Sequence, residues 1–169
     1  MSIKDLYEIY TKSNGVITDS RKINKNCIFF SLKGANFNGN EFAKSAIDNG
    51  ALCAIVDEKK YFHDNKKYIY VEDCLDTLQK LANFHRNKIN TKIISITGSN
   101  GKTTSKELIN SVLKTEFVTF CTRGNLNNHI GVPLSLLEIS VKDEFAIIEM
   151  GANHLGEIKL LSKIAEPNY

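Results

Sequence analysis

The 169-residue sequence predicts an α/β fold, with a small α/β N-terminal domain followed by the first part of a P-loop domain built on a mostly parallel sheet. Three observations predict it. Short apolar runs of strand length alternate with segments of helical period along the whole chain. The strand-like runs are nearly continuous in apolar residues, as in parallel sheets covered on both faces. One of them leads into a glycine turn, Lys-Thr-Thr and a helical segment.

In the first half, Leu6, Ile9 and Tyr10 predict a short helix, and Cys27-Ile28-Phe29-Phe30-Ser31-Leu32 a strand. A loop with Gly34 and Gly39 follows. Phe42, Ala43, Ala46 and Ile47 then fall at helical spacing up to a stop at Asn49-Gly50. Ala51 to Val56 and Tyr68 to Val71 read as two strands, and Leu75, Leu78, Leu81, Ala82 and His85 mark one face of a longer helix. The polar, patternless Asn87-Lys88-Ile89-Asn90-Thr91 is the expected boundary, dividing the chain into domains 1–88 and 89–169. Beyond it, Lys92 to Ile96 predicts a strand, and Leu108, Ile109, Val112 and Leu113 predict the buried face of the next helix. Phe145 to Ile148 predicts a buried strand, and Ile158, Leu161 and Ile164 a last helix. The sequence then reaches Pro167-Asn168-Tyr169, where a parallel sheet calls for a further strand, so an incomplete chain is expected.

Composition narrows the functional classes. The formal charge is +3 with scattered lysines, which gives no basic face for nucleic acid. No run approaches the roughly 20 apolar residues needed to cross a bilayer, and no signal-peptide pattern opens the chain, so a cytoplasmic protein without membrane insertion is expected. Cys27, Cys53, Cys74 and Cys121 form no Cys-x-x-Cys pair and read as buried free thiols. A monomer is the working expectation.

Chemistry concentrates in Thr97-Gly98-Ser99-Asn100-Gly101-Lys102-Thr103-Thr104. Glycines let backbone approach an anion closely, a helix N-terminus aims free N–H groups and a positive dipole at it, and Lys102 adds charge. The candidate nucleotide contacts are Gly98, Ser99, Asn100, Gly101, Lys102, Thr103 and Thr104, with ATP the expected nucleotide. The standard motif has a first glycine where this sequence has Ile96. Thr103 and Glu149 are the candidate ligands for Mg²⁺, because a carboxylate at the C-terminal end of a buried strand lies on the edge where α/β proteins bind ligands. Lys102 and Glu149 are the candidate catalytic residues.

The phosphate loop, with its missing first glycine, resembles that of the Mur ligases of peptidoglycan synthesis. Gly124-Asn125-Leu126-Asn127-Asn128-His129-Ile130-Gly131-Val132-Pro133-Leu134 and Ile148-Glu149-Met150-Gly151-Ala152-Asn153-His154-Leu155-Gly156-Glu157-Ile158 are similar to the branch of that family that joins D-Ala-D-Ala to UDP-N-acetylmuramoyl-tripeptide. Thr18-Asp19-Ser20-Arg21, Ile28 to Gly34 and Asn36 to Phe42 resemble its UDP-sugar-binding N-terminal domain. The resemblance implies an ATP- and Mg²⁺-dependent ligase working through an acyl phosphate. It implies substrate contacts at Asp19, Ser20, Arg21, Lys33, Gly34, Asn125, Asn127, Asn128 and His154. In this family Asp and His often occupy the segment that here holds Asn38 and Asn40, where amides hydrogen-bond but carry no charge. The family's second metal site and third domain would lie beyond Tyr169, so the chain alone is expected not to ligate. Two other readings stay open: a non-catalytic nucleotide or UDP-sugar-binding module, and another Mur-type amide ligase.

Overall fold

The first helix, α1 (Ile3–Tyr10), starts where Ser2 and Asp5 cap each other: the Asp5 amide donates to Ser2 Oγ at 3.2 Å and the Ser2 amide to Asp5 Oδ2 at 3.0 Å. It is the first of fifteen α-helices and β-strands that the computed structural model shows over its described residues, 1–63 and 66–169. These residues form two compact units, Met1–Leu81 and Ala82–Tyr169.

The first unit is built on four parallel strands in the order β1 (Val16–Ile17), β2 (Ile28–Phe30), β5 (Cys53–Val56), β6 (Tyr68–Tyr70). A two-stranded antiparallel ribbon, β3 (Lys33–Gly34) with β4 (Phe37–Asn38), interrupts the chain after β2 and leads to α2 (Ala43–Asp48). Strand residues alternate between faces. Phe29, Ala54, Val56 and Tyr68 pack with Ala43 and Ala46 of α2, while Ile28, Phe30, Cys53 and Ile55, of the opposite parity, are equally buried. Both faces are therefore covered, which is why β2 and β5 read as unbroken apolar runs. Burial pushes the Cys53 thiol up to about 12 and raises those of Cys27 and Cys74, so these three are inert packing groups, as expected.

The division between the units falls inside α3 (Cys74–Arg86), ahead of the polar 87–91 segment where the sequence suggested it. That segment is anchored in the second unit. Ile89 and Thr91 are buried, and the Thr91 hydroxyl donates to the Asp143 carbonyl at 2.7 Å.

The second unit has three parallel strands in the order β7 (Lys92–Ile96), β9 (Phe145–Glu149), β8 (Thr119–Cys121). Strand β8 had no signature in the sequence reading: its three residues are too few to show a period. Helix α4 (Lys102–Leu113) packs on β8 and β9, and α5 (Gly131–Glu138) on β9 and α6 (Glu157–Ala165). The expected buried face of α4 needs correction. Ile109 and Leu113 turn inward, but Leu108 is 62% and Val112 68% exposed, because the inner stripe runs through Lys106, Ile109, Asn110 and Leu113. Two of its four members are polar and satisfied by the sheet side: Asn110 Oδ1 accepts from the Thr119 hydroxyl at 2.8 Å and Lys106 donates to the Thr122 carbonyl at 2.7 Å. Past α6, the Tyr169 amide donates to the Ile93 carbonyl and the Tyr169 carbonyl accepts from Ser95, which is parallel pairing on the open edge of β7.

His85, on the buried face of α3, has its Nε2 2.9 Å from the Ile139 carbonyl. Burial lowers its pKa below the usual 6.5, against the opposing pull of that hydrogen bond. As pH falls through 6.5 the unfolded chain takes up this proton first, so stability is complete above 6.5 and declines below it. The thermal midpoint is expected to drop between about pH 7.5 and 5.5, and His85→Gln to flatten that dependence. An unchanged slope in the variant would place the effect elsewhere.

Candidate functional site

The site of the second unit is laid out by the pairing of β7 with β9, which sets Ile96 opposite Glu149. Ile96, in the place of the standard motif's first glycine, is the last residue of β7, and its carbonyl accepts from Met150 at 2.8 Å. At a strand position a β-branched residue is favoured and no glycine is needed. The turn itself begins after it. Gly98 has φ 153° and Gly101 φ 73°, backbone that glycine adopts without penalty. Gly101 is the N-cap of α4, and no side chain caps that end, which leaves the first amides of the helix directed at the loop. Lys102 folds back so that Nζ donates to the Gly98 carbonyl at 2.6 Å. Ser99, Asn100 and Thr104 lie exposed along the turn.

Beneath the loop lies a buried polar cluster. The Glu149 side chain is 3% exposed. Its Oε2 accepts from the Thr103 hydroxyl at 2.9 Å and its Oε1 from the Asn127 amide at 2.9 Å. Its backbone N–H donates to Thr122 Oγ1 at 3.1 Å, and that hydroxyl in turn donates to the Ile147 carbonyl at 3.3 Å. Lys106 Nζ lies 3.8 Å from Glu149 Oε2. Lys106 is the member that sequence reasoning missed. Its signal was present: it lies three residues before Ile109 and seven before Leu113, on the stripe that faces the sheet.

The asparagine loop divides its labour. Asn127 holds Glu149, and its carbonyl accepts from the Gly151 amide at 2.7 Å. Asn128 Oδ1 accepts from the amides of Ile130 and Gly131 at 3.1 and 2.8 Å and so caps α5. Asn125 is exposed. Lys102, Asn127, Asn128, His129, Asn153 and Glu157 are among the residues lining a cleft of about 350 Å³. The His154 side chain is exposed, and its amide, with that of Asn153, donates to Glu157 Oε2 at 3.1 and 2.6 Å. These hydrogen bonds hold the Glu157 carboxyl below its usual range. A hydroxyl and a carboxylate in contact beside a glycine turn at a helix N-terminus are suitable donors for a small, hard divalent cation that draws its other ligands from an anion and water. Among the described residues no group of three or more His, Cys, Asp or Glu forms an all-protein metal site.

In the first unit the remaining candidates sit in two places. Arg21 donates twice to Asp19, through Nε to Oδ1 and Nη2 to Oδ2, both at 2.8 Å, and the Arg21 amide also donates to Oδ1. These hydrogen bonds hold the Asp19 carboxyl down at about 2. Ser20 opens the short 3-10 turn between them. Lys33 and Gly34 form β3, and Lys33 Nζ is 3.1 Å from Asp57 Oδ1, which follows the end of β5. Asn40 is fully buried and is structural: its Nδ2 donates to Asp57 Oδ1 and to Asn38 Oδ1, and its Oδ1 accepts from the Asp57 amide. Asn38 donates to Glu58 at 3.0 Å. Burial raises the Asp57 pKa, but the hydrogen bonds from Asn40, the Cys74 amide and Lys33 outweigh it and hold the carboxyl below its usual range.

Family models match both halves of the chain: the Mur ligase family catalytic domain over residues 12–86 and the Mur ligase middle domain over residues 96–169. The chain belongs to the Mur ligase family. The UDP-N-acetylmuramoyl-tripeptide--D-alanyl-D-alanine ligase of Bacillus subtilis is 41% identical over 159 residues, 94% of this chain and 35% of that protein. Among solved structures, the Acinetobacter baumannii ligase named for UDP-N-acetylmuramoylalanyl-D-glutamyl-2,6-diaminopimelate and D-alanyl-D-alanyl matches with a TM-score of 0.84 at 39% identity, over 92% of this chain and 34% of that one. MurF ligase from Thermotoga maritima in complex with ADP matches with a TM-score of 0.83 at 34% identity, over 95% of this chain and 36% of that one. This Mur ligase chain thus spans about a third of the length of the curated relatives it matches.

Gly131 gives this site a mechanical test. A Cβ there would lie 2.4 Å from the Leu126 carbonyl carbon, so alanine must push α5 and the asparagine loop apart. Gly131→Ala is expected to cost about 1–3 kcal/mol in urea denaturation. Gly34→Ala, whose Cβ would meet nothing within 4 Å, is expected to cost less than about 0.5 kcal/mol. Equal effects would remove the steric argument.

Proposed function

We propose that this chain is the UDP-sugar-binding and nucleotide-binding part of an ATP-dependent amide ligase that joins D-Ala-D-Ala to UDP-N-acetylmuramoyl-tripeptide in the cytoplasm. The observation that carries the reading is the contact of Thr103 with Glu149 beneath a glycine turn that opens α4. The relatives' names supply the substrates, and the Thermotoga maritima complex with ADP supports an adenine nucleotide as the ligand. Among the described residues, no helix is long and apolar enough to cross a membrane.

In this reading 1–88 serves the UDP-muramoyl peptide and 89–169 the nucleotide. The N–H groups at the start of α4 receive phosphate oxygens, and Lys102 exchanges the Gly98 carbonyl for the transferred phosphoryl group. A carboxylate is a poor electrophile, so the tripeptide's terminal carboxylate is first phosphorylated by ATP. The amine of D-Ala-D-Ala then attacks the acyl phosphate and releases phosphate. Thr103 and Glu149 would hold Mg²⁺, whose charge, when bound, neutralises the phosphate oxygens. Asn127 keeps Glu149 oriented for this, and the cleft along Asn128, His129 and Asn153 offers polar groups to the activated substrate. In the first unit Arg21 and Lys33 supply cations for the pyrophosphate of the UDP moiety. Each is now engaged by a carboxylate, and each has side-chain surface in water.

Lys102→Ala is expected to weaken ATP binding by about 10- to 100-fold, the value of a charge-assisted hydrogen bond set lost from a phosphate. Calorimetric titration with and without Mg²⁺ measures it. Unchanged binding in Lys102→Ala would sink the assignment of this turn.

A further inference from the structure

The phosphate-loop site as a whole holds one more positive than negative charge among Lys102, Lys106 and Glu149, while its buried part, Lys106 with Glu149, is neutral. Glu149 supplies the negative one; Lys102 and Lys106 supply two positive ones. Lys102 is free to swing toward a ligand, but Lys106 is fixed. Its side chain is 2% exposed, and its Nζ donates to the Thr122 carbonyl at 2.7 Å and lies 3.2 Å from Glu107 Oε1 and 3.8 Å from Glu149 Oε2. The Glu107 side chain is 61% exposed, so water screens most of its charge. Within the buried cluster it is therefore Lys106 that balances Glu149. A buried charge is tolerated when it is paired and hydrogen-bonded, and both groups meet that condition.

The position beside Glu149 Oε2 and Thr103 Oγ1 is the one assigned above to a divalent cation. A cation placed there comes close to a lysine ammonium that cannot move away. A bare ion would enter a pocket with no net negative charge and be repelled. An ion that arrives with a polyphosphate brings negative charge exceeding that of the two lysines. We propose that Lys106 is a positioning residue that serves as a built-in counter-cation for Glu149 and so makes the site take up its divalent ion only as the nucleotide complex. The proposal rests on the metal reading of Thr103 and Glu149. It also explains why a lysine occupies an inward position of α4: an apolar residue there would leave Glu149 uncompensated, and the empty site would then attract bare ions.

The test uses Mn²⁺, whose free form is counted by electron paramagnetic resonance, titrated into the 169-residue chain with and without ADP. Lys106→Gln retains a donor for the Thr122 carbonyl and removes the charge; Lys106→Met removes both; Lys106→Arg keeps the charge. Circular dichroism melting shows which variants are folded. The neutral variants are expected to bind bare Mn²⁺ at least about tenfold tighter than the wild type, since a nearby fixed positive charge has been removed. Lys106→Arg is expected to follow the wild type, and the gap to narrow with ADP present. A purely structural lysine would give no gain in metal affinity on neutralisation. Folded neutral variants that bind bare Mn²⁺ no tighter than wild type overturn the proposal. So does a wild-type chain that binds Mn²⁺ as tightly without ADP as with it, a result that needs no variant. Thr103→Ala separates the two levels: if it leaves Mn²⁺ binding in the presence of ADP unchanged, the metal reading itself fails. If it weakens that binding while the neutral variants gain nothing, only the role of Lys106 falls.

Discussion

A carboxylate buried as deeply as that of Glu149 persists at the end of β9 only because separate elements bring donors to it. Thr103 comes from α4, Asn127 from the loop before α5, and the Thr122 hydroxyl, from just past β8, fixes its backbone. Lys106 supplies the opposite charge 3.8 Å away, and removing one partner of a buried ionic pair typically costs about 3–5 kcal/mol. The glycine turn, the asparagine loop and the sheet edge are therefore tied to a single group, and a disturbance of any one reaches the others. Gly131 and Gly151 belong to the same arrangement. The first has no room for a Cβ against Leu126, and at the second a Cβ would come within 3.1 Å of the Asn127 amide.

The first unit repeats the device with different residues. Asp57, at the exit of β5, accepts from the Cys74 amide at the start of α3, from Asn40 and from Lys33. In both units a carboxylate at the C-terminal end of a central parallel strand gathers the loops at that edge. The consequences differ. Around Asp57 the donors are a helix amide, a fully buried asparagine and a lysine, so the cluster fixes the β3–β4 ribbon. Around Glu149 one of the donors is the hydroxyl of Thr103, next to Lys102 at the start of α4, so the cluster borders the glycine turn.

Much of the fold was legible because it is written in local periods. Strand β7 matched its expected bounds, and the buried face of α3 from Leu78 to His85 came out as read. Strand β8 and the β3–β4 ribbon did not show, since two or three residues carry no period. The α4 stripe was misread because Leu108 and Val112 are apolar by type but turn outward, while Lys106 and Asn110, polar by type, find acceptors and donors on the sheet side. Hydrophobicity alone could not rank these positions. The partners that make a buried lysine tolerable come from Thr122 and Glu149, which are distant in sequence.

By itself the sequence determined the α/β class and the strand, glycine turn and helix that run from Lys92 to Leu113, because each rests on residue types at short or motif-fixed spacing. It also carried the family, through the segments around Asn127 and Glu149. Only the tertiary structure decided that Ile96 is a strand residue opposite Glu149, that Asn127 and Asn128 do different work, and that Asn40 is a buried clamp. It alone placed Lys106 beside the carboxylate. The reason is physical: a hydrogen bond or an ion pair depends on which side chains long-range strand pairing brings within about 3–4 Å, and that distance has no counterpart in local sequence pattern.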